Sequence, residues 1–161
     1  MSDTLDIMEN ITYDELQEGD SATYERTLTE DVLVLFAAVS GDVNPVHLDP
    51  EYAAGTEYRE RIAHGMWSGS LVSAALATVM PGPGSIYREQ NLTFKQAARL
   101  GDTLTVNLKV IRKARMNLVF LSCDVRNQNG EQIAIGEAKV IAPAKKLSVP
   151  KPRLPRIIIE Y

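Results

Sequence analysis

The sequence predicts an α+β fold, a helix packed on an antiparallel sheet, and three observations predict it. The stretch His64–Met80 (HGMWSGSLVSAALATVM) contains no Asp, Glu, Lys or Arg. Three segments with period-two apolar alternation follow it. The last two are joined by Asn127-Gln128-Asn129-Gly130, and Asn-Gly is a strong hairpin signal.

In chain order, residues up to about Asn10 read as frayed, and Ser21–Thr27 reads as extended. Thr29 is a good N-cap for a helix whose first turn carries Glu30 and Asp31, acids that suit the positive end of the helix dipole. Val32, Leu35, Phe36 and Val39 then fall on one apolar face, and Gly41 suits a left-handed C-terminal position. Residues 42 to 63 read as irregular, with Asn44-Pro45 and Asp49-Pro50 as turn signals and a short helix after Pro50. The uncharged stretch that follows is apolar on every side, so it must be buried, and its Gly, Ser and Ala let it lie close to a curved sheet. Pro81-Gly82-Pro83-Gly84 stops it.

The alternating strands are Leu104-Val106-Leu108-Val110, then Val119-Leu121-Cys123-Val125, then Ala134-Gly136-Ala138-Val140; a less regular one lies near Ile86–Lys95. From about residue 144 the composition turns proline-rich and basic (KKLSVPKPRLPRIIIEY). We therefore divide the chain into a globular domain at 1–143 and a tail or linker at 144–161.

A length of 161 residues fits one domain, and 45% apolar with 24% charged residues is a globular, cytosolic composition. The net charge of −4 argues against nucleic acid and anionic membrane surfaces as partners. The single cysteine, Cys123, forms no internal disulfide and reads as a small buried hydrophobe. With two histidines and no Cys–His cluster, a structural zinc site lacks a ligand set. The acidic, polar start MSDTLDIMENITYDE is not that of a signal peptide, so a cytoplasmic location is expected.

The densest group of reactive side chains is Ser40-Gly41-Asp42-Val43-Asn44-Pro45-Val46-His47, which puts a carboxylate and an imidazole five residues apart on a bent loop. Such a pair can hold a water, one group taking a proton while the other delivers one. Hydration of an α,β-unsaturated thioester needs those two parts and a donor for the developing enolate oxygen. Gly65, at the start of the buried helix, offers a backbone N–H at the positive end of a dipole. Plainer readings remain open here. Gly-Asp-x-Asn-Pro is good turn chemistry in its own right, and His64-Gly65 also reads simply as a helix start.

The run Phe36–Ala53, with its complete Ser40-Gly41-Asp42-x-Asn44-Pro45-x-His47 centre, closely resembles the hydratase-2 motif of the MaoC-like (R)-specific enoyl-CoA hydratases. The likeness continues through Ile62-Ala63-His64-Gly65-Met66, Pro81-Gly82-x-Gly84, Leu92-x-Phe94-Lys95, Gly101-Asp102 and Gly136-Glu137-Ala138, from about Tyr13 to Pro143. It implies a hot-dog fold, a bent antiparallel sheet wrapped around one central helix. It also implies Asp42 as base, His47 as acid, Gly65 N–H as donor to the thioester carbonyl, Asn44 as an orienting residue, and Ser70 in the wall of the acyl pocket. No separate cofactor is implied, because coenzyme A is part of the enoyl-CoA substrate. For its phosphates Lys95, Arg99, Arg112, Lys113 and Arg115 are the candidate cations, and a homodimer is expected.

Met66-Trp67 and Ser73 depart from the family pattern and leave acyl length open. The Pro-rich tail resembles the linker of hydratase domains fused to a phosphate acyltransferase. A hot-dog acyl-CoA thioesterase and a non-catalytic acyl-CoA-binding domain remain as alternatives.

Overall fold

The computed structural model describes residues 6–161. In chain order the elements are β1 (Ile7–Glu9), β2 (Ser21–Thr27), α1 (Glu30–Ser40), α2 (Pro45–Leu48), α3 (Pro50–Ala54), α4 (Gly65–Thr78), β3 (Ile86–Phe94), β4 (Thr103–Lys113), β5 (Leu118–Arg126), β6 (Gln132–Ile141) and β7 (Ser148–Pro150). Five strands form one antiparallel sheet in the order β2-β4-β5-β6-β3. Thus β4, β5 and β6 meander as expected, but β3 crosses the sheet to pair with β6 rather than with its successor. Among the described residues no helix is long and apolar enough to cross a membrane.

Alternation puts one face of each central strand in the core. Leu104, Val106, Leu108 and Val110 are buried, as are Val119, Leu121, Cys123 and Val125, and they meet Trp67, Leu71, Val72, Ala75 and Leu76 of α4. Each such aliphatic side chain contributes about 1.5–3 kcal/mol by leaving water. Burial pushes the Cys123 thiol up to about 11, so it serves as an apolar filler.

The helix α4 is buried on one side only: Met66 is 60% exposed, and Ser70 is exposed on the same outward stripe. Its lack of charge therefore reflects two surfaces, the sheet beneath and an uncovered apolar face above. The apolar face of α1 is shifted from the expected one: Val32 and Phe36 do pack against the core, but its centre lies elsewhere. Leu33 and Ala37 are buried, whereas Val39 is 86% exposed. The caps of α1 follow expectation: Thr29 accepts from the Val32 N–H, and Gly41 takes φ 76°.

Two segments differ from their sequence reading. Ile7–Glu9 forms a strand rather than a frayed end and pairs with Ser148–Pro150; Met1–Leu5 lie outside the described residues. The first part of the tail packs on the body. Buried Asn10 donates to the carbonyls of Pro83 (3.0 Å) and Lys145 (2.9 Å) and accepts from the Leu147 N–H (2.9 Å). Further along, Tyr161 donates its hydroxyl proton to Asp31 (2.7 Å), while Ile157 and Ile158 stay exposed.

Gly136 sits opposite Leu92 in the β6–β3 pairing, and an added Cβ would lie 1.9 Å from the Asn91 carbonyl oxygen. Only a residue without a side chain allows the two strands to approach this closely. Gly136→Ala is expected to destabilise the fold by about 3 kcal/mol, despite alanine's smaller backbone entropy cost. Urea unfolding checks it, read as a fall in the transition midpoint.

Candidate active site

Three chain turns converge where α2 faces the start of α4. Asn44 caps α2, its side chain accepting from the Val46 N–H at 3.2 Å, and Pro45 occupies the first helical turn. This single turn of helix, absent from the sequence reading, carries His47 inward, where it is 7% exposed. Nδ1 of His47 lies 2.8 Å from the Ile62 carbonyl oxygen. A carbonyl only accepts, so the proton sits on Nδ1, and Nε2 is the nitrogen left to face Asp42.

Asp42 divides its carboxylate between two tasks. Oδ1 accepts from the Asn44 N–H at 3.1 Å, which closes the Asx turn that the Asp-x-Asn pattern suggests. Oδ2 lies 3.9 Å from His47 Nε2. That separation is too long for a direct hydrogen bond and lets one water oxygen sit within reach of both atoms. The Asp42 side chain is half exposed, so solvent reaches this gap. Turn formation and proton chemistry are thus compatible, one oxygen for each.

Behind this pair stands His64. Its ring stacks on that of His47 with centroids 3.8 Å apart and planes 25° apart, and Phe36 closes its other side at 5.1 Å. Its Nε2 donates to the main-chain carbonyl of Asp42 at 2.9 Å. Its Nδ1 is buried with no partner among the described residues. Sequence reasoning left His64 as a helix start; its proximity to His47 arises from tertiary packing and has no signal in spacing.

Donor atoms of Asp42, His47 and His64 all lie within 4.8 Å of one another. The stacked rings, however, send their in-plane lone pairs side by side, and one nitrogen of each is already committed to a carbonyl. These residues fit a proton-handling cluster better than a chelate.

Gly65 opens α4, and the preceding His64 gives that end no side-chain cap; the Trp67 N–H already donates to the His64 carbonyl (3.0 Å), while the Gly65 N–H has no partner among the described residues. His47, His64 and Gly65 border one cavity of about 500 Å³, whose wall also includes Tyr58, Trp67, Phe94 and Lys95. A second cavity of about 480 Å³ lies further along α4, lined by Phe36, Met66, Gly69, Ser70, Ser73 and Leu92. Ser70 therefore lines this second space, apart from Gly65, and its hydroxyl donates to the Trp67 carbonyl at 2.6 Å. Asn44 borders neither cavity; its side chain caps α2, the turn that carries His47.

Of the five candidate cations, only Lys95 borders the cavity that holds His47. Arg99 pairs with Glu60 and donates to the Tyr58 carbonyl at 2.9 Å. Lys113 donates to the carbonyls of Tyr13 (2.6 Å) and Leu16 (2.7 Å). Arg112 lies over the Phe120 ring at 3.8 Å, and Arg115 borders a separate groove with Arg88 and Lys139.

Comparison with known proteins bears on this geometry. The chain is 39% identical over 136 residues to an (R)-specific enoyl-CoA hydratase of Rhodospirillum rubrum, covering 83% of this chain and 92% of that one. It is 34% identical over 142 residues to a 3-hydroxybutyryl-CoA dehydratase of Methylorubrum extorquens, covering 86% and 88%. Among solved structures, the R-hydratase PhaJ1 from Pseudomonas aeruginosa in unliganded form superposes with a TM-score of 0.94 at 52% identity, covering 96% of this chain and all of that one. The (R)-hydratase from A. caviae involved in PHA biosynthesis gives 0.77 at 36% identity, covering 80% and 98%. Residues 14–131 match the family described as MaoC like domain, and a central helix on a bent antiparallel sheet is the hot-dog architecture: the chain belongs to the MaoC-like family.

Proposed function

We infer that this protein adds water across the double bond of a trans-2-enoyl-CoA to give the (R)-3-hydroxyacyl-CoA, and runs the reverse dehydration. The observation that carries the reading is the 3.9 Å gap between Asp42 Oδ2 and His47 Nε2, set beside the uncapped start of α4. The named hydratases and dehydratase to which the chain is similar supply the substrate class.

In this reading a water held in the gap loses a proton to Asp42 as its oxygen bonds to C3 of the enoyl group. The π electrons move toward the thioester oxygen, and the Gly65 N–H stabilises the charge that gathers there. In this step His47 starts with a proton on each ring nitrogen: the Nε2 proton passes to C2 while Nδ1–H stays bound to the Ile62 carbonyl, so the ring keeps one orientation throughout. Return of the proton from Asp42 to His47 resets the pair, and the net change is one water added. Hydration changes no oxidation level overall, so this reading calls for no redox cofactor; coenzyme A belongs to the substrate.

The acyl chain is assigned to the second cavity, past Met66 toward Ser70, and Lys95 is the cation best placed for a CoA phosphate. A homodimer fits the uncovered surfaces. The strand β3 is a sheet edge, Ile86 and Phe94 on it are about half exposed, and Met66 stands open beside them.

Asp42→Asn and His47→Gln are each expected to lower kcat for crotonyl-CoA hydration by about 10²–10⁴-fold while the far-UV circular dichroism is unchanged. Near wild-type rates in both would overturn the assignment, as would (S)-product or thiol release from saturated acyl-CoA. Gly65→Pro deletes the proposed donor at a helical position that tolerates proline, and it should cost about 10²–10³-fold in kcat. Gly65→Ala keeps the N–H, places its Cβ at ordinary contact (3.5 Å) from Phe94, and serves as the steric control. Light scattering on the purified chain should give twice the 17.8 kDa chain mass; a monomer would exclude the dimer.

A further inference from the structure

The His64 side chain touches both members of the proposed acid–base pair, by different means. Its Nε2–H donates to the Asp42 carbonyl at 2.9 Å, and its ring lies 3.8 Å from that of His47. It is 4% exposed, so the imidazole itself is withdrawn from bulk water, while Asp42 at the other end of the hydrogen bond is exposed. Its remaining nitrogen, Nδ1, is buried without a partner among the described residues. A residue kept only to begin α4 would not need an imidazole: it gives the helix no side-chain cap, and an apolar side chain would fill the space with no orphaned nitrogen.

The Asp42 segment has little else to hold it. Residues 40 to 45 are exposed, and its other restraints are local, Ser40 Oγ to the Asp42 N–H (3.2 Å) and Asp42 Oδ1 to the Asn44 N–H (3.1 Å). His64 therefore supplies the long-range tie, across 22 residues, between this exposed turn and the buried body. On the other side, the Ile62 carbonyl holds His47 at Nδ1, and the stacked His64 ring covers one face of its imidazole.

We propose that His64 is a positioning residue of this site, holding the Asp42 main chain through Nε2–H while its ring backs the His47 imidazole, so that the carboxylate and the imidazole keep the spacing that seats the reacting water. The proposal rests on the hydratase reading for its kinetic consequence but not for its structural one. Misplacement of reacting groups by about 1 Å costs on the order of 10²-fold in rate, so the loss belongs in kcat rather than in substrate binding.

The test uses two variants of the full chain. His64→Phe keeps a flat ring but has no donor. His64→Gln keeps an N–H near the Nε2 position. In His64→Phe, exchange of the Asp42 and Asn44 amides should quicken at least tenfold, and kcat for crotonyl-CoA should fall about 10–100-fold with KM changed less than threefold. His64→Gln should recover a substantial part of both. Unchanged amide exchange in His64→Phe overturns the proposal whatever the enzyme does to enoyl-CoA. So does faster exchange with kcat within twofold of wild type, or a loss confined to KM. Should the wild type hydrate no enoyl thioester while exchange responds as stated, the positional role stands and the hydratase reading is what fails. Failure of His64→Phe to fold leaves His64→Gln to decide, since a folded Gln variant with slowed kcat below one-tenth of wild type and unaltered exchange would also overturn the proposal.

Discussion

The hydrogen bond from His47 Nδ1 to the Ile62 carbonyl is the constraint on which the site depends. Ile62 is itself held from three sides. Its N–H reaches the Val46 carbonyl, it bridges to Arg99, and the next residue, Ala63, donates to Ala98 at 2.8 Å. One short extended segment thus fixes the imidazole's tautomer, ties α2 to the body, and delivers the chain to the start of α4 two residues later. Had the ring been free to turn, either nitrogen could have faced Asp42, and the fold would not fix which one does.

Much of this was legible in the sequence, for identifiable reasons. Strand alternation at 104–110 and 119–125 reports burial directly, because a residue every second position must face the core. The caps of α1 were readable because Thr29 and Gly41 act within one turn of themselves. The Asp42–His47 loop was readable because turn formers and reactive groups coincide in eight residues. What escaped depended on the third dimension. The face of α1 was only partly readable because an unbroken apolar run (Val32 to Phe36) permits more than one stripe, and packing centred it on Leu33 and Ala37 with Val32 and Phe36 beside them. The uncharged α4 gave no sign that one side lies open, since an uncovered apolar face and a buried one have the same composition. The contact of His64 with both site residues follows from the meeting of α2 with α4, which no local pattern encodes.

The two cavities share the first turn of α4: Gly65 borders one and Met66 the other. Adjacent residues on a helix point about 100° apart, so a substrate spanning both spaces would bend around this turn. Gly65 brings no side chain to this turn and Met66 brings a flexible thioether. On the proposed function, reactivity and acyl preference would fall to neighbouring positions of one helix, the backbone of the first and the side chain of the second.

The seam made by Asn10 has a consequence for how the molecule holds together. Its amide joins segments 135 residues apart, so the bond closes nearly the whole chain into a ring. Closure over such a span carries a high entropic cost, and the two short strands that accompany it bury little apolar surface. The seam is thus the part of the molecule whose ordering leans most on the prior assembly of everything between its ends, a clasp fastened after the garment is on.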